Sequence, residues 1–146
     1  MEESLTLLNL IKRDFRLGEV DLKTLSPLTL AFVGDCIYDL ILRTVIVERH
    51  NASPNQLHRE KSRLAKAPAQ AEMAEVLQEH LTQEELAVYR RGRNAKSHTT
   101  AKNASVLDYR KATGLEALYG WLYLSGQEER LLQLLRLSLD ELGWKL

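Results

Sequence analysis

Apolar positions recur along this chain at intervals of three and four residues, and no stretch shows the strict apolar/polar alternation of a half-buried strand. The spacing predicts an all-α chain of about seven helices, near residues 3–14, 27–49, 54–66, 68–80, 82–92, 104–124 and 127–143. Start signals support these positions. Ser26-Pro27 and Ser53-Pro54 each put a capping serine before a proline at the first helical position, where a missing N–H costs nothing. Ser53 with Gln56, and Thr82 with Glu85, have the spacing of capping boxes. Pro68 breaks or kinks the third helix from the fourth.

The helix expected over 27–49 is apolar almost all round: Leu28, Leu30, Ala31, Phe32, Val33, Ile37, Leu40, Ile41, Leu42, Val45 and Ile46. Such a helix is expected to be buried, and a chain of this length has few elements of its own to surround it, so a second copy would help. Asp35, Asp39 and Arg43 recur every fourth residue and form a polar stripe on this rod. Asp39 reads as the i,i+4 partner of Arg43. Asp35 has no such partner, since Asp39 lies at i+4 and Ala31 at i−4. Gly34, which costs a helix interior about 1 kcal/mol relative to Ala, permits close approach of another backbone or of a substrate.

Glu116 is isolated in the same way, as the only charged residue between Ala112 and Gln127. Asp and Glu are seldom buried without a partner, because desolvating an ionised carboxylate costs several kcal/mol. A hard divalent cation is a natural partner for a pair of such acids.

Composition adds bounds. With 146 residues, 45% hydrophobic and 27% charged, one globular domain is expected. The single cysteine, Cys36, excludes an intramolecular disulfide and fits a reducing compartment, with a buried inert thiol as the plain expectation. No secretory signal pattern opens the chain, and the cytoplasm is the simplest location. The longest apolar stretch, Pro27 to Val47, is interrupted by Asp35, Asp39 and Arg43, which excludes a membrane span.

Net charge is zero, but the charges are unevenly spread. Arg90, Arg91, Arg93, Lys96, Lys102, Arg110 and Lys111 share their segment with one acid, Asp108; Arg59, Lys61, Arg63 and Lys66 share theirs with Glu60; Glu72 to Glu85 holds five acids and no Lys or Arg. This distribution reads either as a basic face for a polyanion or as ordinary solvated helix faces. The longest non-helical stretch expected, Gly92 to Asn103, is polar and basic. A loop of this length is commonly functional or disordered. Its guanidinium, ammonium, hydroxyl and amide groups suit nucleic-acid phosphates, sugars and base edges, with Arg90, Arg91, Arg93, Asn94, Lys96, Ser97, His98 and Lys102 the candidate contacts and a plain flexible loop the alternative.

Other chemistries find little support. The four histidines do not fall at helical ligand spacing and one cysteine cannot build a zinc finger, so the histidines read as structural, with His98 a candidate nucleic-acid contact. No nucleophile elbow and no Gly-rich phosphate loop is present. Tyr119, Trp121 and Tyr123 read as core and dimer packing rather than as base-stacking residues.

Phe32-Val33-Gly34-Asp35-Cys36-Ile37-Tyr38, followed some eighty residues later by Leu115-Glu116-Ala117-Leu118-Tyr119-Gly120, resembles the paired signatures of ribonuclease III domains. Arg91-Gly92-Arg93-Asn94-Ala95-Lys96-Ser97 further resembles the small bacterial branch called Mini-ribonuclease III, which consists of the nuclease domain alone. The resemblance spans about Leu25 to Glu141. It implies an all-helical homodimeric endoribonuclease that cleaves double-stranded RNA with Mg²⁺ and acts in large-subunit ribosomal RNA maturation, with a large-subunit ribosomal protein as a candidate partner. Residues 25–146 would be the catalytic domain and 1–24 an N-terminal extension with a packed helix. By the same resemblance Asp35 and Glu116 are the catalytic metal ligands. Two further acids of larger ribonuclease III enzymes are missing: Ala31 stands four before Asp35 and Thr113 three before Glu116. A non-catalytic RNA-binding module of the same fold, active in ribosome assembly, is the alternative that this thinner ligand set leaves open.

Overall fold

Helix α6, Val106–Leu124, is the central element of the molecule. In this computed structural model, which describes residues 6–96 and 105–146, α6 buries Ala112 through Leu115, Ala117 through Gly120 and Leu122, so that neighbours cover it on nearly every side. Around it pack α2 (Pro27–Arg49), α4 (Ala67–Leu77), α5 (Gln83–Asn94) and α7 (Glu128–Leu142). The shorter α3 (Pro54–Ala65) lies against α2 and α4, and α1 (Leu7–Asp14) precedes them all. No strand occurs among the described residues.

The start signals act as expected. Ser26 accepts from the Thr29 N–H ahead of Pro27, and Ser105 accepts from the Asp108 N–H at the start of α6. Both capping boxes form, Ser53 with Gln56 and Thr82 with Glu85. At the α3–α4 break Lys66 is extended (ψ 146°), the non-helical backbone of a residue that ends α3 and is the N-cap of α4. The helix expected over 68–80 ends sooner, at Leu77, and Gln78–His80 tightens into a 3₁₀ turn.

Two expectations need correction. Arg93 and Asn94 belong to α5, which continues two residues past its expected end at Gly92, so the polar stretch expected from Gly92 begins only after Asn94. Gly92 is buried there because another helix presses on it, and tertiary packing outweighs its low helix propensity. The rod α2 keeps one face open, as a helix this apolar in a chain with few elements to surround it would. Leu30, Ala31, Gly34, Tyr38, Leu42 and Ile46 form its core face, whereas Phe32 is 80% exposed, and Leu28, Leu40, Val47 and Cys36 are exposed with it. Cys36 is therefore not the buried thiol expected from its neighbours.

The core is built from large side chains of several helices: Tyr38, Leu42, Leu64, Met73, Leu77, Tyr89, Leu115, Leu118, Tyr119, Leu122, Leu131 and Leu134. Tyr38 stacks on Tyr119 with ring centroids 5.7 Å apart, and its hydroxyl donates to the Leu64 carbonyl at 2.6 Å. Tyr119 is completely buried, while Trp121 and Tyr123 are partly buried against the same core, which makes this aromatic run a packing element. At the far end of α5, the Glu85 carboxylate receives two bonds from Arg130 of α7, at 2.8 and 2.9 Å, and Arg130 also donates to the His80 carbonyl. No helix among the described residues is long and apolar enough to cross a membrane.

Candidate active site

The site begins with two glycines. A Cβ built at Gly34 would lie 1.7 Å from the Glu116 carbonyl oxygen, and one at Gly120 would lie 2.0 Å from the Leu30 carbonyl oxygen. No real side chain tolerates either distance, so α2 and α6 touch backbone to backbone where they cross. Gly34 thus serves the approach of another backbone, one of the two options its position in the sequence allowed. The crossing brings the residue after Gly34 alongside Glu116.

Asp35 and Glu116 accordingly adjoin although 81 positions separate them in the chain. Glu116 is half-buried. Burial pushes its carboxyl up to about 9, and the hydrogen-bonding and like-charge proximity of Asp35 pushes in the same direction. Asp35 itself is exposed, contrary to the reading of both acids as misplaced in apolar surroundings: it stands on the open side of the seam and only Glu116 is partly enclosed. Among the described residues no Lys, Arg or His forms an ion pair with either acid. Directly beneath lies Tyr38, whose phenol is held well above its ordinary range by burial and by the charge of Glu116.

One turn further along α2, Asp39 accepts from Arg43, as the i,i+4 spacing predicts, and also meets Lys61 of α3 at 3.1 Å. Burial acts to raise the Asp39 carboxyl, but its bonds to Arg43 and Lys61 and their charges together outweigh this and hold it below the usual carboxylate range. Asp39 is a neutralised structural acid. Asp35 is not. Ala31 and Thr113 are both buried, and the Thr113 hydroxyl is turned back onto the Tyr109 carbonyl at 2.9 Å, so neither position offers a carboxylate to the site.

The basic segment arrives from α5. A Cβ at Gly92 would meet Ala117 Cβ at 2.8 Å and Gly114 Cα at 2.9 Å, so the end of α5 is pressed onto α6 on both sides of Glu116 in sequence. Arg90, Arg91, Asn94 and Lys96 are exposed there and Arg93 is half-buried. The Arg93 guanidinium lies 5.8 Å from the Tyr89 ring centroid, and its Nε donates to the Asn94 side chain at 3.3 Å. Lys111, in the same basic run, is neutralised by Glu75 at 2.6 Å. Ser97, His98 and Lys102 lie outside the described residues. Burial pushes the Tyr89 phenol up to about 12; the Arg93 charge opposes this and that of Glu75 adds to it.

The sequence did not point to Lys61 as a partner of Asp39, nor to Tyr89 as the ring beneath Arg93, because both pairings depend on tertiary packing or on the course of a helix end. Gly34 signalled the seam from the α2 side; Gly120, its counterpart on α6, was an available signal that the sequence reading did not use. The other histidines have surface partners: His50 with Glu60 at 2.7 Å, His58 with Ser62 at 3.3 Å, and His80 with Glu141 at 2.6 Å and Glu79 at 3.6 Å. The His80 group brings together three potential ligand atoms, but its imidazole Nε2 is already engaged by Glu141 and the group contains none of the residues of the seam.

Residues 28–127 match the family model described as Ribonuclease III domain. The chain is 42% identical over 133 residues to Mini-ribonuclease 3 of Clostridium tetani, covering 88% of each protein. It is 50% identical over 117 residues to the protein of that name from Thermoanaerobacter sp., covering 80% of this chain and 82% of that one. For the Staphylococcus aureus Mini-ribonuclease 3 the identity is 48% over 116 residues, with 78% and 87% coverage. A crystal structure of a protein from Fusobacterium nucleatum superposes with a TM-score of 0.76 at 26% identity, covering 84% of this chain and 98% of that one.

Proposed function

This chain belongs to the ribonuclease III family, in its Mini-ribonuclease 3 branch, and is an endoribonuclease; from that premise we propose that it cleaves double-stranded RNA with Mg²⁺ at the Asp35–Glu116 seam. One observation carries the proposal. The backbone-to-backbone crossing at Gly34 and Gly120 sets two acids side by side, neither ion-paired among the described residues, and the arginine-bearing end of α5 packs on α6 at Gly114 and Ala117, the residues around Glu116.

The donor set fits the ion. Mg²⁺ takes oxygen ligands, keeps several waters and is commonly held by one or two carboxylates together with substrate phosphate. Burial and the neighbouring Asp35 both disfavour the ionised form of Glu116, and neither acid has an ion-pair partner among the described residues, so a divalent cation would complete the pair. When bound, Mg²⁺ supplies an activated water and neutralises charge on the phosphate under attack. Asp35 and Glu116 hold that charge in place, the rigid seam fixes their separation, and no protein nucleophile is required. Arg90, Arg91, Arg93, Asn94 and Lys96 hold the phosphates and 2′-hydroxyls of the A-form minor groove, with Ser97, His98 and Lys102 as further contacts.

We further propose a homodimer, closed through the open face of α2. The exposed Phe32, Leu28 and Leu40 flank the turn that carries Asp35, so a second copy covering that face would bring two seams near one duplex. The intended substrate is precursor large-subunit ribosomal RNA, presented with or without a ribosomal protein. The deciding experiment incubates purified protein with long end-labelled double-stranded RNA, with and without Mg²⁺, beside Asp35→Asn. Discrete Mg²⁺-dependent products from the parent alone support the nuclease. Tight binding without cleavage transfers the reading to an RNA-binding module.

A further inference from the structure

Cations of this protein are commonly in one of two conditions. Some are held by an acid and neutralised, as Arg43 and Lys61 are by Asp39, Lys111 by Glu75 and Arg130 by Glu85. Others, such as Arg90, Arg91 and Lys96, are exposed and form no ion pair among the described residues, so their long side chains keep their rotamer freedom. Arg93 is in neither condition. It is half-buried, it has no acid as a partner among the described residues, and yet it is held.

What holds it is a ring. The Arg93 guanidinium carbon lies 5.8 Å from the centroid of Tyr89, one helical turn earlier on α5, within the range at which the negative face of an aromatic ring attracts a cation. Its Nε donates to the Asn94 side chain at 3.3 Å, and no hydrogen bond among the described residues engages its terminal nitrogens. The ring is itself fixed. Tyr89 is 1% exposed, and a Cβ at Gly114 would stand 2.8 Å from its Cε1 and 2.9 Å from its Cδ1, so the ring fills the space that a side chain on α6 would otherwise take. Gly92, three residues on, presses in the same way on Ala117. Ring and guanidinium are therefore anchored to the turn of α6 that includes Glu116. The Tyr89 hydroxyl is buried and has no hydrogen-bond partner among the described residues, so what this residue contributes is its ring rather than its oxygen.

We propose that Tyr89 is a positioning residue for RNA binding: its ring face holds the Arg93 guanidinium, with its charge intact, at a fixed place on α6, so that Arg93 grips a duplex phosphate in set register with the carboxylate seam. This rests on the nuclease reading above and adds to it a residue that acts through Arg93. A planar guanidinium already stacked on a ring loses less freedom on binding than one that moves in solvent. Its open terminal N–H groups suit the paired oxygens of a phosphate. Phosphate contacts fix register rather than read sequence, and a contact anchored to α6 fixes it relative to Glu116.

The test measures affinity for a short blunt RNA duplex, with every variant made in a Glu116→Gln background so that nothing is cut. Tyr89→Phe keeps the ring and drops an unpartnered hydroxyl, whereas Tyr89→pentafluorophenylalanine keeps the shape of the ring and reverses the charge on its face. Both preserve the packing against Gly114, which thermal melts by circular dichroism check. Tyr89→Phe is expected to bind as the parent does, the fluorinated variant about fivefold more weakly, and Arg93→Ala about tenfold more weakly. Combined with Arg93→Ala, the two ring variants should bind alike. A ring that served core packing alone would give the same difference with Arg93 present or absent, so a fivefold gap that persists in Arg93→Ala overturns the proposal. Equal binding of the two ring variants with Arg93 present overturns it as well. Parental affinity in Arg93→Ala would also overturn it, while Mg²⁺-dependent cleavage by the unsubstituted protein would keep the nuclease reading intact. Absence of duplex binding by the parent would remove the nuclease reading and this inference together.

Discussion

Glu116 acquires its chemistry from where its backbone is held. On the exposed face of a surface helix the same side chain would be an ordinary ionised acid; against the α2 seam, half-buried and beside Asp35, it is pushed up to about 9. Asp35→Asn and Glu116→Gln are each expected to abolish cleavage while duplex affinity is kept or strengthened, since each removes a proposed metal ligand and Asp35→Asn also removes an exposed negative charge from the proposed RNA surface. Cleavage of end-labelled duplex and a gel-shift titration read the two effects separately. Thermal melts of the metal-free protein guard against misfolding, and Glu116→Gln should melt at or above the parent because it relieves a half-buried acid pair. The two acids were legible in the sequence because charge without a local partner is rare inside apolar helices. That Asp35 would be exposed was not legible: an apolar helix does not announce which of its faces the core will claim, and the residues flanking Asp35, Gly34 buried and Cys36 exposed, fall on opposite sides of that choice.

Between helices, glycine decides the geometry of the site and a buried ion pair fixes the frame behind it. Gly34→Ala forces its Cβ into the Glu116 carbonyl, so α2 and α6 must separate. A loss of roughly 3 kcal/mol is expected, at the upper end for overpacking, together with loss of cleavage. Gly120→Ala should behave alike, and urea denaturation checks both. Glu85 tests the frame by pH. Its bonds from Arg130 hold its carboxyl below the ordinary 4.5, against an opposing effect of burial and with further help from Thr82. A carboxyl lowered in the folded state stabilises in full above its unfolded value, and that contribution is lost as the pH falls through the folded one. Glu85→Gln should therefore cost about 2 kcal/mol at pH 7, with the gap to the parent closing below about pH 4.5 in thermal melts. The Thr82–Glu85 capping box was legible from spacing, but the same Glu85 also pairs with Arg130 on α7, and no local pattern foretells a partner 45 residues away. For the same reason the sequence ended the helix at Gly92: no local pattern shows that Gly92 presses against Gly114 and Ala117 of another helix and that α5 runs on to Asn94.

At the scale of the whole molecule, neutrality conceals a division of labour among its charges. Some members of the basic and acidic runs cancel each other, as Lys111 does with Glu75, while Arg90, Arg91 and Lys96 stay exposed on and just past the end of α5, the helix that packs on α6 around Glu116. The uneven distribution was visible in the sequence, but which charges remain free could emerge only from the folded pairing. A similar argument applies to α2. Its excess of apolar residues suggested more burial than one chain can supply, and the helix indeed leaves Phe32 80% exposed beside Leu28, Leu40 and Val47. Fully burying a phenylalanine of this kind contributes about 2 kcal/mol, and in a twofold assembly each substitution acts twice. Phe32→Asp is therefore expected to shift the protein from dimer to monomer in analytical ultracentrifugation while its helical circular dichroism is retained, since so exposed a ring adds little to the packing of its own chain. Cleavage should fall with dimer content and recover as protein concentration is raised. A variant that stays dimeric would place the interface away from α2, and one that unfolds would show that Phe32 supports the single chain instead.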